Sequence, residues 1–451
     1  MSFSAFVAIV WSLLIHCSYI PFLLLLLISI FIFVSIYILN NEFKIIELDK
    51  KSCVLSIFIT WILLILMGAI PFYIIFPKEN IRDIIFLSVS LSSTSGIWTE
   101  INTINNPEFL IWQAILQWLG GLCTVLVGSF FVEMVLRKRN VINDYFSIEN
   151  IKIIFYLFLS FTIIFILLFK LFSNSWSNSI QLSMALISTS NAYLSNGDII
   201  VESNIITKII MLFAMIVGSL SISLHYKSFT QGVLSYFRNK RFKLAFILIL
   251  IITLFITMVT FNDIKIPFYE KYIDVCFLII SFISTTGLIP HNLYQYGALA
   301  NLLLILSLLC LIGGSVSSTT GGIKPTRILY IYKYISIELF RLGNPRKIKA
   351  KEKINSIDEI SQILIFTILY LALIPILASL ISIFNINFEE AFIIVISALS
   401  NTGIGLLEIA NINYYPKTFI EVILLSIILL FGRIEIFITM ILISSIFWKK
   451  L

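Results

Sequence analysis

Long apolar segments alternate along the chain with short segments rich in serine, threonine, asparagine and glycine. A helix needs about 20 apolar residues to cross the hydrocarbon core of a bilayer, and the segment 22–39 is almost continuously apolar. The pattern predicts membrane helices at 19–40, 53–76, 109–135, 151–172, 204–226, 242–261, 298–312 continuing to 323–337, 360–384 and 418–447. Residues 1–18 are too short for another full span, and we expect a partial or interfacial helix ending near Pro21.

Four shorter, partly polar segments lie between these spans, at 83–97, 180–196, 274–289 and 390–405. Most of the 31 lysines and arginines fall in loops on one side of the spans, and the positive-inside rule makes that side cytoplasmic. Each short segment then follows a helix that leads outward and precedes one that leads inward. The sequence predicts an all-α polytopic membrane protein with four tandem helix–pore loop–helix repeats around a pseudo-fourfold central pore. We place an extra N-terminal helix in 1–50 and the repeats at 51–140, 141–240, 241–340 and 341–451.

The repeats align through an acidic residue and a glycine. A distance of 13 residues separates the two in three segments: Asp83 and Gly96, Asp274 and Gly287, Glu390 and Gly403. An acid suits the N-terminal end of a short helix because the helix dipole favours negative charge there, and a glycine suits the turn that ends it. In the second segment the corresponding positions hold Ile180 and Tyr193. Tyrosine is unfavourable at positive φ, so we expect a distorted quadrant there.

The predicted loops contain neutral oxygen atoms and no carboxylates: Ser93–Gly96, Ser190–Tyr193, Ser284–Gly287 and Ser400–Gly403. Non-helical backbone is tolerated at membrane depth only inside protein or along a watery path. Four such loops around one axis would offer oxygens to a weakly hydrated monovalent cation, whereas Ca²⁺ prefers carboxylates. The alternative is that the loops are ordinary helix breaks that pack helix against helix.

Composition excludes several other classes of protein. With 59% hydrophobic and 12% charged residues, the chain is neither disordered, nor a secreted disulfide scaffold, nor a nucleic-acid-binding domain. The five cysteines lie singly in apolar segments and the three histidines are far apart, so no metal site of these residues is expected. The sequence has no phosphate-binding loop, and it lacks the clustered His, Asp or Glu that a polytopic membrane enzyme would need.

Three separate motifs resemble those of one family, the Trk/Ktr/HKT superfamily of potassium transporters, and specifically its bacterial TrkH-type membrane subunits. The first is Trp112-Gln113 with Gln117-Trp118-Leu119-Gly120-Gly121. The second runs from Ile312 to Lys324, and the third is Leu430-Phe431-Gly432-Arg433-Ile434-Glu435-Ile436-Phe437. They occur in order, and the similarity extends from about residue 53 to 451.

The resemblance implies that potassium is coordinated by the two residues before each filter glycine. Carried over, the coordinating positions are Thr94, Ser95, Asn191, Ala192, Thr285, Thr286, Asn401 and Thr402. The filter turns would then be at Gly96, Tyr193, Gly287 and Gly403. The chain departs from the family at Tyr193 and at its N-terminus, where TrkH-type chains usually have two complete extra helices.

The segment 313–322 holds four glycines and five hydroxyl side chains inside an apolar span, so no continuous helix is favoured there. It is either a loop that closes the ion path or a kink filled by a neighbouring helix. Arg433 lies in mid-span, where a cation marks an ion path by default; the alternative is a structural ion pair, with Glu435 as a nearby acid. The resemblance implies a gate of Gly313, Gly314, Ser315, Ser317, Ser318, Thr319, Thr320, Gly321, Gly322 and Arg433.

We therefore expect a permease of the cell inner membrane that takes up potassium under the membrane potential, with symport among the expected modes of uptake. The alternatives are a sodium-permeable or non-conducting relative and, less favoured, a membrane enzyme. The resemblance implies a homodimer and a separate cytoplasmic nucleotide-binding regulatory subunit, with no cofactor in this chain and no nucleic-acid partner. Several outer acids could either concentrate cations or be ordinary solvated charges: Glu100, Asp198, Glu202 and Glu408. The basic stretch from Arg341 to Lys353 marks a cytoplasmic loop that could also dock a partner.

Overall fold

The computed structural model describes residues 1–39, 50–97, 106–136, 148–172, 175–191, 200–201, 204–232, 234–238, 240–260, 267–295, 299–343 and 357–434. Within them, four helices are long and apolar enough to cross a membrane: Val54–Ile75, Pro107–Ser129, Ile151–Phe172 and Ile363–Ser382. A bent pair, Ile205–Ser219 with Ile222–Gln231, meets the same criteria if its two helices count as one span. The chain is a membrane protein, and its all-α fold is confirmed.

The elements are numbered here in chain order. The N-terminal region contains α1 (Ser2–Ile15) and α2 (Ile20–Leu39). The first three repeats contain α3 (Lys50–Ile75), α4 (Ile81–Ser92), α5 (Pro107–Leu136), α6 (Ile148–Phe172), α7 (Trp176–Ile187), β1 (Ile200–Val201), α8 (Ile205–Ser219), α9 (Ile222–Gln231), α10 (Ser235–Arg238), α11 (Lys240–Thr260), α12 (Phe268–Ile283), β2 (Ile289–Pro290), α13 (His291–Gln295), a 3₁₀ turn (Ala300–Leu302), α14 (Leu303–Ile312) and α15 (Pro325–Gly343). The fourth contains α16 (Ile357–Ser382), α17 (Phe388–Ser400), α18 (Ile404–Ile409) and α19 (Phe419–Arg433).

The same three-helix unit occurs four times. A long helix leads to a short helix that packs back against it, and a second helix follows: α3–α4–α5, α6–α7–α8, α11–α12–α14 and α16–α17–α19. The short helices have 12, 12, 16 and 13 residues. At 1.5 Å per residue they are about 18–24 Å long, too short to cross a bilayer core of about 30 Å. We call these four helices the pore helices.

The four units close into a ring. Each pore helix contacts the last helix of the preceding unit, so α7 packs on α5, α12 on α8 and α17 on α14. The contact between α19 and α4 joins the fourth unit to the first. Two residues of β1 and β2 add a short parallel strand pair between the segments that follow the second and third pore helices. This ring of four repeats is the pseudo-fourfold architecture that the sequence predicts.

Burial separates inner from outer helices. In α5, 78% of an 18-residue window of the span Pro107–Ser129 is buried inside the protein, against 17% of the corresponding window of Ile151–Phe172 in α6. Phe, Leu and Ile side chains cover the outer faces of α2, α6 and α11 and are exposed there, for example Phe31, Leu171 and Phe255. Such a surface suits hydrocarbon and not water. The pore helices, by contrast, are buried over most of their length.

One span differs from the sequence prediction. The predicted single span 204–226 is two helices bent by 106°, with Leu220 in an extended conformation between them. The break leaves the carbonyls of Gly218 and Ser219 free to accept hydrogen bonds from another loop, which is described below. The N-terminus forms a short helix, α1, followed by the longer α2, in agreement with the partial helix expected before the span 19–40. The first, α1, packs through Ala5, Ala8 and Trp11 against the α2 and α5 side of the fold.

The 13-residue spacing suggested that Asp274 lies at the start of its helix, but the structure places it further inside. The helix α12 begins at Phe268, and Asp274 lies inside it, 1% exposed. Its carboxylate is 2.5 Å from the Nζ of Lys208, a buried residue of α8, and it also accepts a hydrogen bond of 2.9 Å from Asn292. The acid therefore joins the second and third units through a buried ion pair, and it does not cap a helix.

Removing one partner of this pair should destabilise the protein more than removing an exposed charge. We expect Lys208→Met to cost about 3–5 kcal/mol, because the Asp274 charge is left buried without its counter-ion. The double change Lys208→Met with Asp274→Leu should recover most of that loss. The measurement is thermal unfolding of the purified protein in detergent.

The control is Arg82→Met, because Arg82 pairs with Asp83 at the surface, where its side chain is 35% exposed. That change should cost no more than about 1 kcal/mol. Equal losses in Lys208→Met and Arg82→Met would show that the buried pair does not hold the two units together.

Candidate cation filter and intramembrane loop

Each pore helix ends in the same turn. A residue with positive φ follows the last helical turn in all four units: Thr94 at 58°, Thr189 at 50°, Thr285 at 57° and Asn401 at 55°. The next residue then donates its backbone N–H back to a carbonyl five positions earlier: Ser95 to Ser90, Ser190 to Ala185, Thr286 to Ser281 and Thr402 to Ser397. The shared geometry defines which positions are equivalent in the four repeats, independently of residue type.

The register predicted for the second loop was wrong by two residues. Thr189 takes the position of Thr94, Thr285 and Asn401, so the second turn is Ser188-Thr189-Ser190-Asn191. Asn191, and not Tyr193, occupies the position of the filter glycines. The predicted residues Ala192 and Tyr193 lie outside the described residues.

A sequence signal for this register exists. Counting 13 residues back from Asn191 gives Asn178, which lies in the first turn of α7, where its backbone N–H donates to the hydroxyl of Ser175. The same position holds Asp83 and Glu390 in the first turns of α4 and α17. A search for acids and glycines alone missed this repeat because it has asparagine at both positions.

Hydroxyl side chains hold the turns in shape. In three repeats the first and third residues of the turn bring their hydroxyl oxygens together, at 3.3 Å for Ser93 and Ser95, 2.8 Å for Ser284 and Thr286, and 2.8 Å for Ser400 and Thr402. A serine inside each of those pore helices also bonds the backbone beyond the turn: Ser90 to Ile97, Ser281 to Leu288 and Ser397 to Gly403. The second repeat has Ala185 at this place and lacks that hydroxyl.

The turns meet through backbone. At Gly403, with φ +69°, a Cβ atom would lie 1.5 Å from the carbonyl oxygen of Ser95 in the first repeat. At Gly287, with φ +75°, it would lie 2.5 Å from the carbonyl oxygen of Thr402 in the fourth. A carbonyl of one repeat therefore lies against a glycine of another, at a distance that leaves no room for a side chain. The predicted residues of the first, third and fourth loops are thus brought together at one place, all of them buried.

The segment 313–324 is not helical, and it packs against the inner ends of the pore helices. Ser315 donates from its backbone N–H to the carbonyl of Ser219 at 2.9 Å, and Thr319 donates its hydroxyl to Gly218 at 2.9 Å. These are the carbonyls freed by the break between α8 and α9. The segment therefore fills the break in the second unit. It is a packed loop with defined partners.

The same segment also contacts the turns that end the pore helices. The hydroxyls of Thr189 and Thr319 are 3.1 Å apart, and the hydroxyl of Thr285 accepts from the backbone N–H of Gly321 at 3.1 Å. A Cβ on Gly321 would lie 2.0 Å from the carbonyl oxygen of Ser400. The second, third and fourth turns thus rest directly on this loop, which we call the intramembrane loop.

Arg433 connects the remaining turn to the loop. Its guanidinium is 4% exposed and donates to the carbonyl of Ser93, the hydroxyl of Thr94 and the carbonyl of Thr319. All three acceptors are uncharged, and Glu435 lies outside the described residues. Lys324 donates to the carbonyl and the hydroxyl of Thr320 in the same loop. The side chains of Lys324 and Arg433 both line a cavity beside the loop.

The sequence motifs acquire a structural reason here. A Cβ on Gly120 of α5 would lie 1.8 Å from the carbonyl oxygen of Ser92, at the end of α4. One on Gly432 of α19 would lie 2.5 Å from the carbonyl oxygen of Leu399, near the end of α17. These glycines let neighbouring helices come close to the carbonyl ends of the pore helices.

Of the four outer acids, Glu408 is half-buried in α18, and Glu100, Asp198 and Glu202 lie outside the described residues.

Comparison with known proteins identifies relatives along nearly the whole chain. An uncharacterized cation transporter of Methanocaldococcus jannaschii is 28% identical over 447 residues, covering 95% of this chain and 90% of the relative. Trk system potassium uptake proteins TrkH of Vibrio parahaemolyticus and Escherichia coli are each 24% identical, covering 90% of this chain and 87% of theirs. No family model matches the chain.

The fold matches as well. The crystal structure of the potassium transporter TrkH from Vibrio parahaemolyticus superposes with a TM-score of 0.87 over 99% of this chain and 96% of that one, at 23% sequence identity. The resemblance to TrkH-type proteins that the motifs indicate is thereby confirmed.

The closest backbone approach in the ring gives a testable prediction. Gly403→Ala should destabilise the protein by about 2–5 kcal/mol, because alanine is strained at positive φ and its methyl group would overlap the Ser95 carbonyl. Thermal unfolding in detergent measures this loss. Gly343→Ala, at the end of α15 with open space around it, is the matched control and should be neutral or stabilising by up to about 1 kcal/mol. If both variants unfold like the wild type, the described ring contact does not exist in the protein.

Proposed function

We propose that this chain, which shares its fold and nearly its whole length with TrkH-type potassium uptake proteins, is the membrane-embedded, cation-conducting subunit of a potassium uptake system. The single observation that carries the proposal is the ring of four equivalent turns at the ends of four pore helices. Those turns present uncharged oxygens from four repeats to one place. We infer potassium as the substrate from the relatives that are named as potassium uptake proteins.

The chemistry of the ring suits a monovalent cation. Helix C-termini carry partial negative charge, and carbonyl oxygens can replace the water shell of a weakly hydrated ion. The turns hold no carboxylate, which Ca²⁺ or Mg²⁺ would favour. We propose that the filter is formed by Thr94, Ser95, Thr189, Ser190, Thr285, Thr286, Asn401 and Thr402, so that Thr189 and Ser190 replace Asn191 and Ala192 of the predicted set. Entry would be driven by the membrane potential, which supplies about 2.3 kcal/mol per charge per 100 mV.

We further propose that the intramembrane loop and Arg433 together form the gate. The loop is bonded to the second and third turns, and Arg433 is bonded to the first turn and to the loop. A fixed positive charge beside the path repels each passing cation, and that repulsion is stronger in a low-dielectric surrounding than in water. Opening requires these contacts to break together, so the gate would need an external input.

That input would come from a separate cytoplasmic, nucleotide-binding regulatory subunit. The proposal rests on the resemblance to Trk systems and on the absence of a phosphate-binding loop from the sequence. The resemblance also supports a homodimer in the cell inner membrane, and coupling of uptake to a second ion by symport remains part of the proposal.

Ion flux through purified protein tests the function. Liposomes containing the full chain should take up rubidium when the membrane potential is negative inside, and sodium should compete weakly with this uptake. Uptake is measured with and without a co-reconstituted Trk-type regulatory subunit and ATP. Empty liposomes and liposomes containing heat-denatured protein are the controls. If flux never exceeds these controls in any condition, the proposal of a cation permease is wrong.

Replacing the gate arginine should increase flux. Arg433→Ala removes both the charge and the links between the first turn and the loop, so we expect rubidium flux per folded protein to rise at least about tenfold. Arg433→Lys is the matched variant, because it keeps the charge and loses the planar fork. If the charge is the barrier, the lysine variant stays close to wild type.

Flux is normalised to monodisperse protein recovered from the liposomes, because loss of the buried guanidinium could impair folding. Folded Arg433→Ala protein that conducts no faster than wild type would assign Arg433 a purely structural role.

A further inference from the structure

The side chain of Asn191 lies inside the ring. Its Nδ2 donates to the carbonyl oxygen of Ser95 at 3.2 Å and to that of Thr402 at 3.3 Å. These carbonyls belong to the first and fourth repeats, whereas Asn191 belongs to the second. In the order of units around the ring, the second repeat lies opposite the fourth. The carboxamide therefore reaches across the ring.

The three filter glycines surround this carboxamide. A Cβ built on Gly96 would lie 3.2 Å from the Cβ of Asn191, one on Gly287 would lie 2.9 Å from its Oδ1, and one on Gly403 would lie 3.1 Å from its Nδ2. One side chain is thus in contact with all the other turns, and it is 3% exposed. It occupies the centre of the ring, where the carbonyls of the turns converge.

The two polar atoms of the carboxamide are in different situations. The Nδ2 has carbonyl partners, but the buried Oδ1 accepts no hydrogen bond within the described part of the chain. A buried acceptor without a partner costs free energy. The backbone of Asn191 is held from outside the ring, because its carbonyl accepts from the Nε2 of Gln117 in α5 at 3.1 Å. The side chain, and not the backbone, is the element that can move.

We propose that Asn191 is the specificity-determining residue of this filter, because its carboxamide competes with the permeating cation for the carbonyls of Ser95 and Thr402. The amide N–H groups satisfy the same oxygens that would coordinate the ion. A cation enters only when the side chain turns out of the ring and gives up both hydrogen bonds. The wild-type ring therefore binds monovalent cations weakly. This inference rests on the proposed function.

The test uses the full chain in liposomes, with rubidium as the probe ion. Asn191→Ala removes the carboxamide, and Asn191→Gly restores the residue type of the other three turns. We expect both variants to reach half-maximal rubidium uptake at a concentration about tenfold lower than wild type, since the ion no longer displaces two buried hydrogen bonds. The ratio of rubidium to sodium uptake should rise in parallel.

Gln181→Met is the matched control. Gln181 is a buried amide on α7, the pore helix that precedes the turn of Asn191, and its Nε2 donates to the hydroxyl of Ser177 at 3.2 Å, outside the ring. Its replacement should leave the half-saturating rubidium concentration unchanged. A second measurement follows thermal unfolding in detergent as potassium is added. Potassium should stabilise Asn191→Ala at lower concentrations than it stabilises the wild type.

The outcomes separate this inference from the function on which it rests. If wild type and both variants conduct with the same half-saturating concentration and ion ratio, the Asn191 proposal is overturned and the permease proposal stands. If no protein conducts and potassium stabilises none of them, both proposals fall. If neither variant folds, the carboxamide is a structural element of the ring, and that result also overturns its role in ion competition.

Discussion

Backbone carbonyls at the end of a helix need partners, and in a membrane lipid cannot supply them. This protein places four such helix ends at one point inside the bilayer. The rest of the described structure follows from that constraint. The pore helices are too short to span the membrane, the hydroxyl side chains close their final turns, and glycines on the surrounding helices approach the carbonyl ends at distances that no other residue would allow.

The intramembrane loop is part of the same solution. It is rich in glycine and hydroxyl groups because it must lie against the second, third and fourth turns while also filling the break in the second unit. Arg433 completes the arrangement at the first turn with three donors to neutral oxygens. The four turns and the intramembrane loop are thus bonded into a single body. Under our proposal, a conformational change of the loop is transmitted directly to the turns.

Fourfold symmetry is approximate, and its departures are concentrated in the second repeat. This repeat has Ala185 where the others have a serine that bonds the backbone of the turn, and it has Asn191 where the others have glycine. It also contributes the broken helix pair and Lys208, which forms the buried ion pair with Asp274 of the third repeat. A ring of four unequal quadrants needs fewer identical residues than a symmetric one, and it leaves room for one side chain to enter the centre.

The sequence by itself determined the architecture. Apolar length, the distribution of basic residues and the 13-residue repeat spacing predict spans, orientation and four re-entrant units, because membrane insertion depends on composition summed along the chain. The turns at Thr94, Thr285 and Asn401 were locatable for the same reason, since glycine marks a backbone requirement. The tertiary structure alone decided the bend at Leu220 and the pairing of Asp274, and it corrected the register of the second turn, whose asparagines a search for acids and glycines missed. Each of these depends on contacts between units distant in sequence: the loop that fills the bend, the lysine that reaches the acid, and the three glycines that make space for Asn191.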